Sequence, residues 1–423
     1  MKNPTDILTL LGIPAEKVSS FDFVENQNGE SHIELSLINE EKSCPRCFSK
    51  DVVAHGYFSA TINNSVIRAH KTYVRVEKKR YKCKRCGKTF CQSFPINMPH
   101  KQISRAVEIC ILDDLKEPVS YSYVARQYNV SLNTVVNLFD QLPRQPKLKL
   151  SECICIDEFH FSNRRNRHCR FPCVISNPFT SEIIDIIESR RYQYLWSYFV
   201  RLRSEERFLV KYFVSDMNDT YRRIKKAFFN HAVHIVDHFH VMKMFTGAIQ
   251  AIRIKIMKIQ EEENREEYKF LKRHWRMFLK NRTDLRKLRK VNKLTGEVFD
   301  WELKIMQVLR RYPELYYAYE AKEEFYRFSK LKHSWDETNT MIQFFIQKFG
   351  HSESFVMQKI AHTMSNWFVE ICNAYSVNTT GKNLTNAIAE SNNNHIQTLI
   401  DVGYGYGVFE RLRNRILYIN RKP

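Results

Sequence analysis

The sequence lacks any run of about 18 uncharged apolar residues, the length that a membrane-spanning helix needs. Near the N-terminus the apolar stretch covers only Ile7–Ile13, too short and too poorly flanked by basic residues for a signal peptide. Internal repeats and low-complexity tracts are also absent from the 423 residues. We therefore expect a soluble, cytoplasmic protein with no membrane partner.

Acidic residues are scarce relative to basic ones, with 46 Asp and Glu against 67 Lys and Arg, a formal net charge of +21. Residues 42–90 hold 13 basic and 2 acidic residues (net +11), and residues 251–293 hold 15 and 6 (net +9). The rest of the chain sums to +1. Concentrated positive charge attracts a polyanion, so both segments are candidate surfaces for double-stranded DNA, although either alone is compatible with a solvated charge run.

Eleven cysteines in a cytoplasmic chain do not predict disulfides, so their spacing is the informative feature. Cys44 and Cys47, and likewise Cys83 and Cys86, are separated by two residues, the spacing at which two thiolates share one metal ion. We predict a structural Zn²⁺ site with these four ligands in a zinc ribbon. The other seven cysteines are predicted to be small core residues.

Residues 104–142 have a helical pattern with a predicted tight turn at Asn129 and a second helix capped by Ser131. This is the pattern of a helix-turn-helix, and an ordinary helical hairpin is the alternative. The outward residues at the start of the second helix are the predicted DNA contacts: Leu132, Asn133, Thr134 and Asn137. We also expect residues 1–145 alone to bind DNA.

From residue 152 onward the pattern predicts three strands, a helix (192–203), a strand (208–215), a helix and a strand, the order of a ribonuclease-H-like core. The last helix of that core is predicted at 384–399. The fold class is therefore multi-domain α/β, with a large α-helical insertion in this core. The predicted segments are 1–98 (N-terminal region with zinc ribbon), 99–145 (helix-turn-helix), 150–240 (first part of the core), 241–376 (α-helical insertion) and 377–423 (closing helix and basic C-terminus).

Three carboxylates fall where such a core brings them together: Asp157 ends the first strand, Asp216 follows the fourth, and Glu390 lies on the closing helix. Oxygen ligands of this kind suit two Mg²⁺ ions, or Mn²⁺, that support in-line phosphoryl transfer. Asp237, which follows the next strand, is a rival for the second position. We otherwise expect Asp237 and His240 to form an accessory pair.

In the C-terminal helix, Arg411, Arg413 and Arg415 alternate with apolar residues and are predicted to contact DNA phosphates, a solvated basic face being the alternative. The further motifs are Ile-Asp-Glu-Phe at 156–159, Asp-Met-Asn at 216–218, Val-Asp-His-Phe-His at 236–240, Ile-Ala-Glu-Ser-Asn at 388–392, and the Gly/Tyr-rich and Arg-rich stretch at 403–417.

Together with the cysteine pairs and the helix-turn-helix, these ordered motifs resemble the ISL3 class of bacterial insertion-sequence transposases over nearly the whole chain. The resemblance implies a DDE-type enzyme whose acids are Asp157, Asp216 and Glu390, with a helical insertion before the Glu. The Asp237-x-x-His240 pair resembles an accessory motif of the related Mutator-like group.

The leading hypothesis is a nucleoid-associated transposase that binds the terminal inverted repeats of its element and performs metal-dependent end cleavage and strand transfer. A homodimer or higher oligomer on DNA is expected. The alternative is a zinc-ribbon and helix-turn-helix transcription regulator without catalysis, and a third interpretation is a structure-specific nuclease without strand transfer. The acidic triad distinguishes the enzymes from the regulator.

Overall fold

The computed structural model of the chain describes residues 8–9, 13–38, 43–94, 96, 101–161, 170–288, 290–291, 298–376, 387–403 and 406–421. At residues 290–291, 298 and 387–390 this description covers the backbone alone. The described residues form two compact units. The first contains those of Met1–Pro146 and Ile396–Pro423, and the second those of Lys147–Ser162 and Asn166–His395.

A five-stranded sheet opens the first unit. Its strands are β1 (Val18–Glu25), β2 (Ser31–Leu37), β3 (Val52–Asn63), β4 (Thr72–Cys83) and β5 (Thr89–Cys91). The order is β1-β2-β4-β3, and β5 pairs with the C-terminal part of β4. Only β2 and β4 pair in parallel. Alternate residues of these two strands, Ile33, Leu35, Val74 and Val76, are buried, as expected for a sheet with one covered face.

Helices α1 (Arg105–Asp114), α2 (Tyr121–Gln127) and α3 (Leu132–Asp140) follow in the same unit. Each begins after a serine whose hydroxyl oxygen accepts the backbone N–H of the residue three positions later, at Ser104, Ser120 and Ser131. The turn between α2 and α3 passes through Asn129, which has a φ of 52°. The buried face is formed by apolar residues of all three helices, including Val107, Ile111, Val124, Val135 and Leu138.

The second unit contains the sheet β6 (Cys153–Glu158), β7 (Cys173–Ser176), β8 (Ile183–Ile187), β9 (Tyr212–Ser215) and β10 (Val233–Val236), in the order β10-β9-β6-β7-β8. The pairs β6–β7 and β7–β8 are antiparallel, whereas β6–β9 and β9–β10 are parallel. Three connecting helices belong to it: α4 (Tyr192–Phe199), α5 (Ser204–Phe208) and α6 (Asp219–Phe228).

Both faces of this second sheet are covered. Ile154 and Ile156 of β6 belong to a core with residues of α4 and α6, whereas Cys153 and Cys155 belong to a larger core with the helices that follow β10. These helices are α7 (His238–Glu263), α8 (Arg265–Arg273), α9 (Arg282–Arg286), α10 (Trp301–Arg311), α11 (Pro313–Ser329), α12 (Trp335–Gly350), α13 (Phe355–Asn366) and α14 (Phe368–Tyr375). The long helical segment therefore packs directly on the sheet.

Three small elements and two late helices complete the described chain. The small elements are the 3₁₀ turns Ala15–Lys17 and Met277–Leu279 and the two-stranded ribbon β11 (Lys290–Val291) and β12 (Val298–Phe299). The late helices are α15 (Ala387–Val402) and α16 (Phe409–Asn420). Residues of α15 up to His395 belong to the second unit, and those from Ile396 belong to the first.

The structure revises several predicted boundaries. The predicted helix over residues 192–203 ends at Phe199, and the predicted strand over 208–215 begins only at Tyr212, because Phe208 ends α5. The closing helix was predicted to start at residue 384. It is described only from Ala387, because residues 377–386 lie outside the described part. Strands β1 and β2 were not predicted, although β2 has apolar residues at alternate positions.

Candidate active site and candidate metal centre

Three aspartates lie at one edge of the second sheet because of the strand register. Ile156 pairs with Ser215 across β6 and β9, and Ser215 pairs with Val236 across β9 and β10. Asp157, Asp216 and Asp237 are the residues that come next on these adjacent parallel strands. Neighbouring strands are about 4.8 Å apart, so three carboxylates from distant parts of the sequence start from neighbouring backbone positions.

These aspartates line a cleft of about 450 Å³. Further acidic, basic and aromatic side chains surround them. The cleft is lined by Asp157, Glu158, Phe159, His160, Phe171, Arg190, Asp216, Asp237, Phe239, His240, Lys243 and Asn393. The arrangement, with acids at the sheet edge and cations beside them, suits a negatively charged ligand bound together with metal ions.

Burial and mutual repulsion make two of the carboxylates resist ionisation. Burial raises the pKa of Asp157 to about 6. The pKa of Asp216 is raised to about 7, first by burial and then by the charges of Glu158 and Asp157. One oxygen of Asp216, Oδ1, is buried without a hydrogen-bond partner among the described residues. A divalent cation would relieve both the repulsion and the unpaired oxygen, so this donor set fits a metal with hard oxygen ligands.

Asp237 is held differently from Asp216. It is 2% exposed and caps α7, because its Oδ1 accepts the backbone N–H of Phe239 at 3.1 Å. Its Oδ2 lies 3.8 Å from Nε2 of His240, one turn into the same helix. The predicted Asp237 and His240 are therefore neighbours in the cleft, and the aspartate is already engaged as a helix cap.

Glu390, the third predicted acid, has its backbone in α15, but its side chain lies outside the described part of the structure. The same helix reaches the cleft through Asn393, three residues further on. Its Nδ2 donates to Oδ2 of Asp157 at 2.8 Å and to the carbonyl of Glu158 at 3.2 Å. The turn of α15 that follows Glu390 is thus bound to the first acid.

The four predicted zinc ligands converge at the end of the β3–β4 pair. Sγ of Cys44 lies 3.5 Å from Sγ of Cys86, and Sγ of Cys47 lies 3.6 Å from Sγ of Cys83. Sulfurs around tetrahedral zinc are roughly 3.8 Å apart, given Zn–S bonds of about 2.3 Å. Within the described residues, this is the one group of three or more potential ligands whose atoms all lie within 4.8 Å of one another, so the acids of the cleft are more widely spread.

The two cysteine pairs have the same local geometry. The residue after each pair, Phe48 or Gly87, has a left-handed φ of 57° or 72°. Its backbone N–H donates to the carbonyl of the first cysteine, at 2.8 Å for Cys44 and 3.0 Å for Cys83. Burial raises the pKa of Cys44, but the N–H groups of Cys47 and Arg46, together with the neighbouring thiols, outweigh it and lower that pKa to about 6. Cys44 therefore favours the thiolate, the form that binds zinc. The N–H of Ser49 lowers the pKa of Cys47, but burial and the other three thiols outweigh it and raise that pKa to about 11.

Two protein families match parts of the chain. Residues 154–416 match the ISL3 family of DDE proteins, described as transposases, and cover more than half of the chain. The chain belongs to the ISL3 transposase family. Residues 40–86 match the zinc finger of the transposases IS204, IS1001, IS1096 and IS1165, which supports zinc as the ion for the four cysteines. No curated protein matched the sequence.

In the transposase, the predicted DNA-contacting residues of α3 are accessible. Leu132, Asn133 and Asn137 are exposed, and Thr134 is half-buried. The hydroxyl of Thr134 lies 2.8 Å from that of Ser131 at the helix cap. DNA contact by these residues stays a prediction.

The three predicted arginines of α16 have protein partners instead. Arg411 forms two bonds with Asp140, at 2.9 and 2.6 Å, and Arg413 donates to the carbonyl of Gln145 at 3.0 Å. Arg415 is fully buried and donates to two carbonyls, those of Glu117 at 2.9 Å and Val119 at 3.1 Å. In this conformation they anchor α16 to the helices of the first unit, and DNA contact by them stays untested.

Several residues of the cleft were missed by the sequence analysis. Arg190 lies 3.4 Å from Glu158 and has its guanidinium 4.7 Å from the ring centroid of Phe171. Phe239 and Lys243 enter the cleft from the first turns of α7. Each of these residues lies in a loop or helix without a distinctive motif, so the sequence gives no local signal for its position in the cleft.

The remaining cysteines differ in burial. Cys153, Cys155, Cys173 and Cys372 are buried as predicted, whereas Cys91 is exposed at the end of β5, so its prediction as a core residue was wrong. Cys169 lies outside the described residues. None of the transposase helices that the structure describes is long and apolar enough to cross a membrane.

Proposed function

We propose that the transposase binds the terminal inverted repeats of its own element, cuts the DNA at these ends and joins the 3′-hydroxyl groups to target DNA. The observation that carries the chemical part is the register that aligns Asp157 and Asp216 at the ends of adjacent strands in one cleft. The strand order and directions of the second sheet, three antiparallel strands followed by two parallel ones, support a ribonuclease-H-like core.

The catalytic residues that we propose are Asp157, Asp216 and Glu390. When bound, two Mg²⁺ or Mn²⁺ ions supply an activated oxygen nucleophile and stabilise the leaving oxygen. In cleavage the nucleophile is water, and in joining it is the 3′-hydroxyl. Each displacement forms one phosphorus–oxygen bond and breaks another, so joining needs no external energy source.

Between the two candidates for the second acid, the contacts favour Asp216 over Asp237. Oδ1 of Asp216 has no hydrogen-bond partner in the described part of the chain, whereas both oxygens of Asp237 have neighbours within its own helix, the N–H of Phe239 and the ring of His240. A carboxylate that is already a helix cap loses that stabilisation when it turns toward a metal. We therefore assign Asp237 and His240 a supporting role at the start of α7.

The DNA-reading part that we propose is the helix-turn-helix formed by α2 and α3, together with the zinc ribbon. A cleft of about 560 Å³ runs between α3 and the β3–β4 pair. It is lined by Thr61, Asn63, Tyr73, Lys101, Gln102, Ile103, Asn129, Val130, Thr134, Asn137, Leu138 and Gln141. No acid is among the described residues that line it. Amide and hydroxyl side chains read base edges and phosphates, and DNA repels acids, so this composition supports DNA as the occupant.

Two further parts of the proposal follow from the reaction. Cutting and joining two ends requires two catalytic centres, so we expect a homodimer or higher oligomer on the DNA. Because the proposed substrates are the double-stranded DNA of the element and of the target, we also expect the active protein at the bacterial nucleoid, in the cytoplasm.

The test of the chemistry uses D157N, D216N and E390Q in a plasmid assay for end cleavage and strand transfer with Mg²⁺. Each variant should lose both activities and keep binding to end DNA, because the substitutions remove a charge with little change in volume. D237N is the informative comparison. If D237N abolishes chemistry in folded, end-binding protein and D216N does not, the second acid is Asp237.

The test of DNA reading uses the full-length chain and fluorescence anisotropy with end DNA and random DNA. N137A should weaken binding to end DNA by roughly 5- to 150-fold, corresponding to about 1–3 kcal/mol for one base contact, with less effect on random DNA. N28A, an exposed asparagine in the β1–β2 turn outside this cleft, is the matched control. Equal effects of N137A on both DNAs would mean that α3 does not read sequence.

A further inference from the structure

Asn393 links three parts of the candidate active site through one side-chain amide. Its Nδ2 donates to Oδ2 of Asp157 at 2.8 Å and to the carbonyl oxygen of Glu158 at 3.2 Å. Both acceptors belong to the end of β6, whereas Asn393 is on α15, more than 230 residues away in sequence. The amide is therefore a tie between the helix that carries Glu390 and the strand that carries Asp157.

Asn393 lies three residues after Glu390 in α15. Residues three apart in an α-helix lie on the same side, about one turn from each other. The backbone turn that contains Glu390 is thus the one directly before Asn393, and a bond that fixes Asn393 at the strand end also fixes the register of that turn.

We propose that Asn393 is a positioning residue of the divalent-metal site, which holds the carboxylate of Asp157 in orientation and sets the turn of α15 that bears Glu390. The inference rests on the proposed function, since it assumes that Asp157 and Glu390 bind metal. In this role Asn393 acts through these acids. Its Oδ1 is buried without a hydrogen-bond partner among the described residues, so direct ligation by this oxygen is the alternative that the experiment must distinguish.

A hydrogen bond to Asp157 is compatible with a metal ion at the same carboxylate. Each carboxylate oxygen has two lone pairs, so Oδ2 of Asp157 accepts the amide N–H and still has a lone pair for a cation. Oδ1 of the same carboxylate accepts the backbone N–H of Glu158 at 2.8 Å. Hydrogen bonds that orient ligating carboxylates are worth roughly 10- to 100-fold in metal affinity.

Asn392 provides a matched control from the same helix. Its amide also donates one bond across the unit, to the carbonyl of Ser181 at 3.2 Å, and it is 6% exposed, but no acid of the cleft is among its described hydrogen-bond partners. Removing either amide deletes a contact that docks α15. Only removal of the Asn393 amide deletes the contact with a proposed ligand.

The experiment measures Mn²⁺ binding to the full-length, zinc-loaded protein without DNA at pH 8, by calorimetry, and thermal unfolding without added Mn²⁺. N393A should raise the Kd for Mn²⁺ by roughly 10- to 100-fold. N392A should lower the Tm at least as much as N393A and leave the Kd within about twofold. A Kd of N393A within twofold of wild type, or an equal loss of affinity in N392A, would overturn the inference.

A second variant separates positioning from direct ligation. N393D has nearly the same shape but replaces the donor with a negatively charged acceptor opposite Asp157, so we expect it to bind Mn²⁺ no better than N393A. Tighter binding by N393D than by wild type would show that residue 393 is itself a ligand, against the inference. If wild type shows no Mn²⁺ site that D157N removes, the proposed function fails and the inference with it. If D157N removes the site and N393A does not weaken it, the inference alone fails.

Discussion

The raised pKa values of Asp157 and Asp216 predict how metal binding depends on pH. The proposed cation requires both carboxylates to be ionised, and burial and repulsion raise their pKa values in the metal-free protein to about 6 and about 7. Lowering the pH through this range protonates first Asp216 and then Asp157, so metal affinity should fall well above the pH at which ordinary carboxylates titrate.

The size of the effect follows from these two values. Both groups are ionised in about 90% of molecules at pH 8 and in about 1% at pH 5.5, so the Kd for Mn²⁺ should rise roughly a hundredfold between these pH values. Two aspartates with the ordinary pKa of 3.8 would change the Kd by only about 5% over the same range.

The assay is calorimetric titration of the full-length protein with Mn²⁺ at several pH values between 5.5 and 8. D219N is the matched control, because Asp219 lies three residues after Asp216 but has a side chain that is 86% exposed. It should show the same hundredfold change as wild type. A Kd for wild type that varies less than about threefold over this range would refute the argument that burial and repulsion control the site.

The same protonation affects stability in the opposite direction. A carboxyl whose folded-state pKa lies above its unfolded value binds more protons in the folded state, so it favours folding at low pH and loses this contribution as the pH rises through the folded pKa. For the second unit without metal, we therefore expect lower stability at pH 8 than at pH 5.5 from this pair. Added Mn²⁺ should restore stability at pH 8.

Two other predictions concern the first unit. C44S should lose zinc and the order of β3–β5 while the second unit stays folded, which elemental analysis and hydrogen exchange can measure; full zinc content in C44S would contradict the four-cysteine site. In urea unfolding, R415M should lower the stability of the first unit by roughly 3 kcal/mol, because two carbonyls lose hydrogen bonds from a charged donor. The control is R144M, which should lower the stability by less than about 1 kcal/mol because the Arg144 side chain is 68% exposed. Equal effects of R415M and R144M would show that Arg415 is not an anchor.

The parts of the candidate sites that the sequence predicted are those encoded by short spacing. The spacing of two residues between Cys44 and Cys47 already allows both sulfurs to bind one metal ion. In the structure these sulfurs lie close to those of Cys83 and Cys86. Likewise, a buried strand that ends in an acid predicted the positions of Asp157 and Asp216, because strand ends in a parallel pair share one edge. Local sequence is therefore sufficient to predict positions that depend on a short spacing or on the end of a strand.

Contacts between distant residues could not be predicted in the same way. Nothing in the sequence around Asn393 indicates that its amide meets Asp157, and Arg190 shows no sign of its pairing with Glu158. Arg415 is the clearest case. A basic residue in an amphipathic helix has the same pattern whether it faces solvent or lies 5.4 Å from the ring of Tyr121, and only the packed structure separates the two.

The predicted DNA-binding part of the chain ended at residue 145, whereas the first structural unit also includes residues from Ile396 onward. Contacts of α16 explain this difference. Arg415 and Tyr418 of α16 donate to backbone carbonyls of the α1–α3 region, those of Glu117 and Val119 and that of Leu112 at 3.1 Å. A fragment that ends at residue 146 leaves these carbonyls and the apolar face beneath Tyr418 uncovered. The C-terminal 28 residues are therefore part of the proposed DNA-reading unit, although they follow the last proposed catalytic residue in the chain.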